Sequence, residues 1–186
     1  MADFSPFFEA YGRPVTPERA DAKLVKRYAG VVPPALIEFW LHYGFGGYAK
    51  GLVWVVNPAG VEDALAEWLP ARNKTAVPVV RTSFGNIIYW QASAFTFLDV
   101  HYDKAFSAGG DVEILFDGYL IDPKSRKSVL QEPKFKQALK ALGELDSSEM
   151  YSFKLPLVMG GADDLKNLAK VKMREQLAVL AEAHGK

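Results

Sequence analysis

Four short runs rich in β-branched and aromatic residues, at 77–82, 87–91, 95–102 and 112–116, crowd the middle of the chain. They are separated by turn formers, Ser83-Phe-Gly-Asn86 and Ser107-Ala-Gly-Gly110. A parallel crossover needs a dozen or more connecting residues, so such short links suit antiparallel hairpins. Whatever else the chain does, it must cover an antiparallel sheet.

The flanking sequence supplies the cover. Thr16-Pro17 reads as a cap and first-turn proline for a helix that carries Ala20, Leu24 and Tyr28 on one face and stops at Gly30. Pro33-Pro34 opens a second helix with Leu36, Ile37, Trp40 and Leu41 inward, and Tyr43-Gly-Phe-Gly-Gly-Tyr48 is its stop and turn. A buried strand follows at 52–56. Asn57-Pro58 then caps a third helix with Val61, Leu65, Trp68 and Leu69 inward, ended by Pro70. Glu132-Pro133 opens a fourth with Phe135, Ala138, Leu139 and Leu142 inward. A strand at about 150–155 precedes a C-terminal helix predicted over 165–183, from the stepping of Leu165, Leu168, Ala169, Met173, Leu177 and Leu180. The expected class is α+β: a mainly antiparallel central sheet flanked by N-terminal and C-terminal helices.

Composition excludes several functions. Lys plus Arg and Asp plus Glu each number 22, so no global field draws the chain to nucleic acid or an anionic membrane. With no cysteine there is no disulfide framework, thiol catalysis or thiolate metal site. The N-terminus lacks a basic and apolar leader, and no apolar run approaches the ~20 residues that span a bilayer. The expectation is a cytoplasmic protein without a membrane segment.

Chemistry-bearing patterns are few. Asp99, His101 and Asp103 alternate, and on a strand they would share one face, where two carboxylates and an imidazole could hold a divalent metal or share a proton. A solvated sheet face is the plainer expectation. Gly44-Phe-Gly-Gly-Tyr-Ala-Lys-Gly51 lacks the Lys-Ser or Lys-Thr end of a phosphate loop and follows a helix instead of leading into one. No serine sits in a Gly-x-Ser-x-Gly elbow.

Two features suit a binding protein. Phe45, Tyr48 and Phe84 lie in predicted turns, where exposed aromatics would anchor a protein interface. Charge is also unevenly spread. Residues 93–123 carry six acids, Asp99, Asp103, Asp111, Glu113, Asp117 and Asp122, against Lys104, while residues 124–140 carry six bases against Glu132. Such an acidic stretch suits a basic partner, although turns and a solvated helix face would also explain it.

Tyr11-Gly-Arg-Pro-Val-Thr-Pro-Glu, Leu36-Ile-Glu-Phe-Trp40 with Gly44-Phe-Gly-Gly-Tyr48, Trp54-Val-Val-Asn-Pro58, Arg81-Thr-Ser-Phe-Gly85 and Trp90 together resemble the bacterial GAD-like domain. Asp117-Gly-Tyr-Leu-Ile-Asp-Pro123, Glu149-Met-Tyr-Ser-Phe153, Gly160-Gly161 and Lys170-Val-Lys172 resemble the C-terminal domain that accompanies it in type VI secretion immunity proteins. Ser152 departs from that pattern, which places glycine there. The resemblance implies a GAD-like region at 1–104 and an immunity region at 105–186, packed together. It also implies a non-enzymatic antidote, without cofactor, metal or catalytic residues, that binds a cognate secreted DNase toxin one to one and occludes or distorts its active site. On that reading the toxin-facing residues are expected among Asp99, Asp103, Asp111, Glu113, Asp117, Phe45, Tyr48 and Phe84. Rival expectations are an intracellular adaptor with no toxin, a metal-dependent hydrolase built on Asp99, His101 and Asp103, and DNA binding through residues 124–140.

Overall fold

The computed structural model describes residues 2–14, 17–70 and 75–186. Its centre is a six-stranded antiparallel sheet in sequence order: β1 (Gly46–Tyr48), β2 (Val53–Val55), β3 (Val77–Thr82), β4 (Ile87–Gln91), β5 (Ala94–Asp99) and β6 (Lys104–Gly109). The meander follows from the short links, and the β4–β5 turn holds Ala92 and Ser93 at φ 49° and 61°, the backbone of a tight two-residue hairpin. The fold is α+β.

Both faces of the sheet are covered except at the edge strand β6, and the strand alternation sorts side chains between two cores. Val53, Val55, Ile88, Phe95 and Phe97 join an aromatic core with Phe4, Phe7, Phe39 and Phe116. These come from α1 (Ser5–Tyr11) with its lead-in, α3 (Pro34–His42) and a π-helical turn, Ile114–Tyr119. Edge-to-face pairs such as Phe4 with Phe39 and Phe7 with Phe116, 4.8 and 5.0 Å between centroids, hold this side together. On the opposite face Ile87, Tyr89, Leu98 and Val100 pack with α4 (Glu62–Trp68) and α7 (Met173–Ala183). The C-terminal helix thus completes a core begun by the N-terminal half. The aromatic core in turn takes Phe135 of α6 (Glu132–Leu142) and Tyr151 and Phe153 of β7 (Glu149–Phe153).

Several expectations need correction. The first expected helix is α2 (Ala22–Tyr28), capped by the Asp21 carboxylate, which accepts from the Leu24 N–H at 2.7 Å; Thr16 lies outside the described residues. Two short helices were not expected, α1 and α5 (Pro123–Ser128), each with proline in its first turn. Residues 112–116 are not a strand: Val112, Leu115, Phe116 and Leu120 are buried at helical spacing, and Asp111 accepts from the Ile114 N–H at 2.7 Å. Ser107-Ala-Gly lies within β6 and Gly46-Gly-Tyr48 forms β1, both expected as turns.

The predicted C-terminal helix divides into β8 (Leu168–Lys172) and α7. Lys170 and Lys172 recur at the strand period, 3.5 and 3.7 Å from Glu149 across the β7–β8 ladder. Ser152 is fully buried in β7, so the departure from glycine changes no exposed surface.

Candidate functional site

The acidic segment forms one end of the sheet, around the edge strand β6 and its turns. β5 ends at Asp99, so Asp99, His101 and Asp103 do not share a strand face. Asp99 turns back to accept the N–H groups of His101 and Tyr102 at 3.0 and 3.3 Å. Asp103 has positive φ and pairs with Lys186 at 2.8 Å. His101 is buried, with Nε2 donating to the Phe84 carbonyl at 2.8 Å and its ring edge-on to Phe153. Its Nδ1 is buried without a partner, and burial lowers the tendency of the ring to protonate. Among the described residues no three His, Cys, Asp or Glu side chains gather as a metal cluster.

The other acids divide by task. Asp111 caps the π-helical turn, and Asp117 has one buried carboxylate oxygen, with burial as the main cause that raises its pKa. Glu113 is exposed and has no hydrogen-bond or ion-pair partner among the described residues. Along the same edge of the sheet, large side chains are open to solvent: Tyr102 before β6, Phe106 within it and Ile114 after it, the last two each 51% exposed.

The three aromatics expected as exposed anchors are instead core residues: Phe45, Tyr48 and Phe84 are 6%, 1% and 1% exposed. Their turns fold inward. At Gly85, φ is 78° and any Cβ would strike the Met150 thioether, so the chain bends closely enough to drive Phe84 beneath β7. Tyr102, Phe106 and Ile114 are the exposed counterparts. Loop position alone could not find them, because it does not tell which way a turn folds.

A second apolar group is displayed at 155–165, where Leu155, Val158 and Met159 are exposed. The Asn167 amide braces this loop, donating to Leu155 O and Ala162 O and accepting from Leu155 N, at 2.8–3.0 Å.

At the other end of the sheet a cleft of about 780 Å³ opens between the β1–β2 edge and residues 144–148 and 172–175. Arg81 lies in its lining, 1% exposed, its guanidinium 4.5 Å from the Trp54 ring. The indole is held between that cation and the bare backbone of Gly47, where a Cβ would sit 3.0 Å from the ring, and its N–H donates to Gly51 O at 3.0 Å. Arg81 donates to the carbonyls of Thr82, Asp146 and Ser147 at 3.4, 3.4 and 3.1 Å, and among the described residues no carboxylate pairs with it. Burial lowers its pKa to about 9. Ala49 and Lys50 stand at φ 49° and 59° beside the cleft, a left-handed backbone that costs roughly 1–2 kcal/mol per residue. No helix among the described residues is long and apolar enough to cross a membrane.

Comparison with known proteins fits these two halves. The GAD-like domain matches residues 2–103, and the C-terminal domain of the T6SS immunity protein Tdi1 matches residues 115–184. The crystal structure of Atu4351 from Agrobacterium tumefaciens has a similar fold, with a TM-score of 0.78 over 97% of this chain and 89% of that one at 21% identity. No curated protein sequence matches significantly.

Proposed function

The chain belongs to the GAD-like domain family and joins that domain to the C-terminal domain of type VI secretion immunity proteins, and on that premise we propose that it is an antidote that binds a cognate secreted DNase toxin one to one. Binding alone performs the function. The single observation that carries this reading is the immunity-domain match over 115–184, in a chain whose two halves share both cores.

The toxin-facing surface we propose is the β6 end of the sheet. Tyr102, Phe106 and Ile114 supply apolar area, and Glu113, Asp103 and Asp111, with Asp99 and Asp117 behind them, supply negative potential. A DNase holds phosphates with arginine and lysine, so carboxylates presented to those groups would occupy the nucleic-acid site and occlude it. Asp99, Asp103 and Asp111 are tied into a turn, an ion pair and a cap, so their geometry is fixed before the partner arrives and less ordering entropy is lost on binding. Lasting protection calls for a nanomolar complex, about −12 kcal/mol, across an interface of roughly 1,600 Å².

The test is co-expression with the neighbouring open reading frame, followed by co-purification and a nuclease assay on the product. The expected result is an equimolar complex without nuclease activity. A neighbour-encoded nuclease that is neither retained nor silenced overturns the proposal. Charge reversal of Asp103, Asp111 and Glu113 together, with Phe106→Asp, tests the surface separately: undiminished capture would show that the toxin docks elsewhere.

A further inference from the structure

We infer that the cleft between the β1–β2 edge and residues 144–148 is a binding site for a small organic anion, whose carboxylate or phosphate meets the Arg81 guanidinium. A guanidinium has five N–H donors, and three of Arg81's reach carbonyls. Among the described residues the other two have no acceptor, and no counter-ion touches the group. Asp146 does not serve, because its carboxylate is taken by Ser148 at 2.6 and 2.7 Å and by Lys172 at 3.3 Å. A charge withdrawn from water in this way is costly unless an anion meets it, and arginine is the side chain that grips carboxylate or phosphate through paired donors.

The surroundings are built for a ligand. The volume lies within the range of small-molecule sites, about 300–1,000 Å³, and the place is typical, between two domains. Lys50, Ser147, Ser148 and Lys172 also line the cleft, Lys172 with its charge partly met by Asp146 and Glu149. The rim acids Glu18, Glu144 and Glu175 are exposed to water, so their field at the floor is screened, whereas Arg81 is not. Left-handed backbone at Ala49 and Lys50 is the kind of strain that gathers at ligand sites.

This site is independent of the toxin surface. β1 and β6 are the two outer strands, five interstrand steps or roughly 24 Å apart.

The experiment titrates the full chain with sodium glutarate and, separately, with glycerol 3-phosphate, at ionic strength fixed with chloride. The four tryptophan indole N–H resonances are the readout, and Trp54→Phe identifies the one from the cleft. The expected result is a saturable shift of the Trp54 signal with a dissociation constant of about 1 mM or tighter. A shift with glutarate alone assigns a carboxylate ligand, and a stronger one with glycerol 3-phosphate assigns a phosphate. Gly60→Leu should weaken either at least tenfold by filling the cleft, since nothing lies within 4 Å of a Cβ there and the backbone does not need glycine. Lys50→Ala is the second variant and should weaken binding several-fold. Absence of a saturable shift with both anions, or a shift unchanged in both variants, overturns the inference. Gly60→Leu should still capture the toxin, so failure of one proposal is read apart from failure of the other.

Discussion

The two ends of the sheet use charge in opposite ways. At the β6 end carboxylates are at or near the surface, engaged in turns, caps and an ion pair, while Phe106 and Ile114 face water. At the β1–β2 end the cation is inside, stacked on the half-buried Trp54 and surrounded by carbonyls. A chain of zero formal charge therefore carries two distinct electrostatic sites. One is a surface that a macromolecule can cover, and the other a recess that only something small can enter. Substitution at the cleft end should thus register first in stability, and at the β6 end first in affinity.

The largest expected effect is at the cleft end. Trp54→Ala removes the indole from between Arg81 and Gly47 and should cost about 3 kcal/mol, read as a fall in midpoint on chemical unfolding. A loss below 1 kcal/mol would mean that the stack is not structural. Next is Phe106→Ala at the β6 end, which should weaken toxin capture by about 2 kcal/mol, near thirtyfold, yet change folding stability by less than about 0.5 kcal/mol. If stability falls and affinity holds, the contrast between the two ends is reversed.

Much of this architecture was legible beforehand, and the failures have a common cause. Strands 77–82 and 87–91 and the helix at 132–142 stand where pattern places them, because each has one unambiguous period. Residues 112–116 and 165–172 failed where short apolar runs fit both periods, and only the packing of Phe116 on Phe39 or the pairing of Lys172 with Glu149 decides between them. The β6 surface is half legible: charge can be counted, but the direction of each turn cannot, so the sequence points to Phe84 where the structure exposes Phe106. Arg81 shows in the sequence only within the Arg81-Thr-Ser-Phe-Gly85 resemblance, with nothing to mark it as a site. It is one basic residue in an apolar strand, and its isolation exists only once residues 144–148 fold over it.

His101, buried in the turn that leads into β6, offers a smaller test, through pH. Burial holds the ring neutral in the folded state, with Asp99 and Asp163 opposing that effect and Lys134 reinforcing it. Below the unfolded value of 6.5 the unfolded chain binds a proton that the folded chain refuses, so stability falls as pH falls. The limiting slope is about 1.4 kcal/mol per pH unit. His101→Gln keeps a donor toward Phe84 O and cannot protonate. Thermal melts between pH 7 and 5 should therefore be flatter for the variant, and parallel curves would place the acid sensitivity in another group.

The smallest effect separates two acids of the β6 end, the half-buried Asp103 and the exposed Glu113. Asp103 already holds Lys186, with both side chains about 30% exposed, and such a pair contributes well under 1 kcal/mol to folding. Asp103→Asn should thus barely move the melting temperature. Its negative charge is also partly neutralised before any partner approaches, so its loss should change the association rate less than twofold. Glu113 has no such neighbour. Glu113→Gln should slow association several-fold at low salt and lose that effect as salt is raised, because an exposed charge acts over a Debye length of about 10 Å at 0.1 M salt. Stopped-flow association at two salt concentrations makes the distinction. Equal slowing by both substitutions would mean that Lys186 leaves Asp103 when the toxin binds, and the β6 surface would then be set by the complex instead of by the fold.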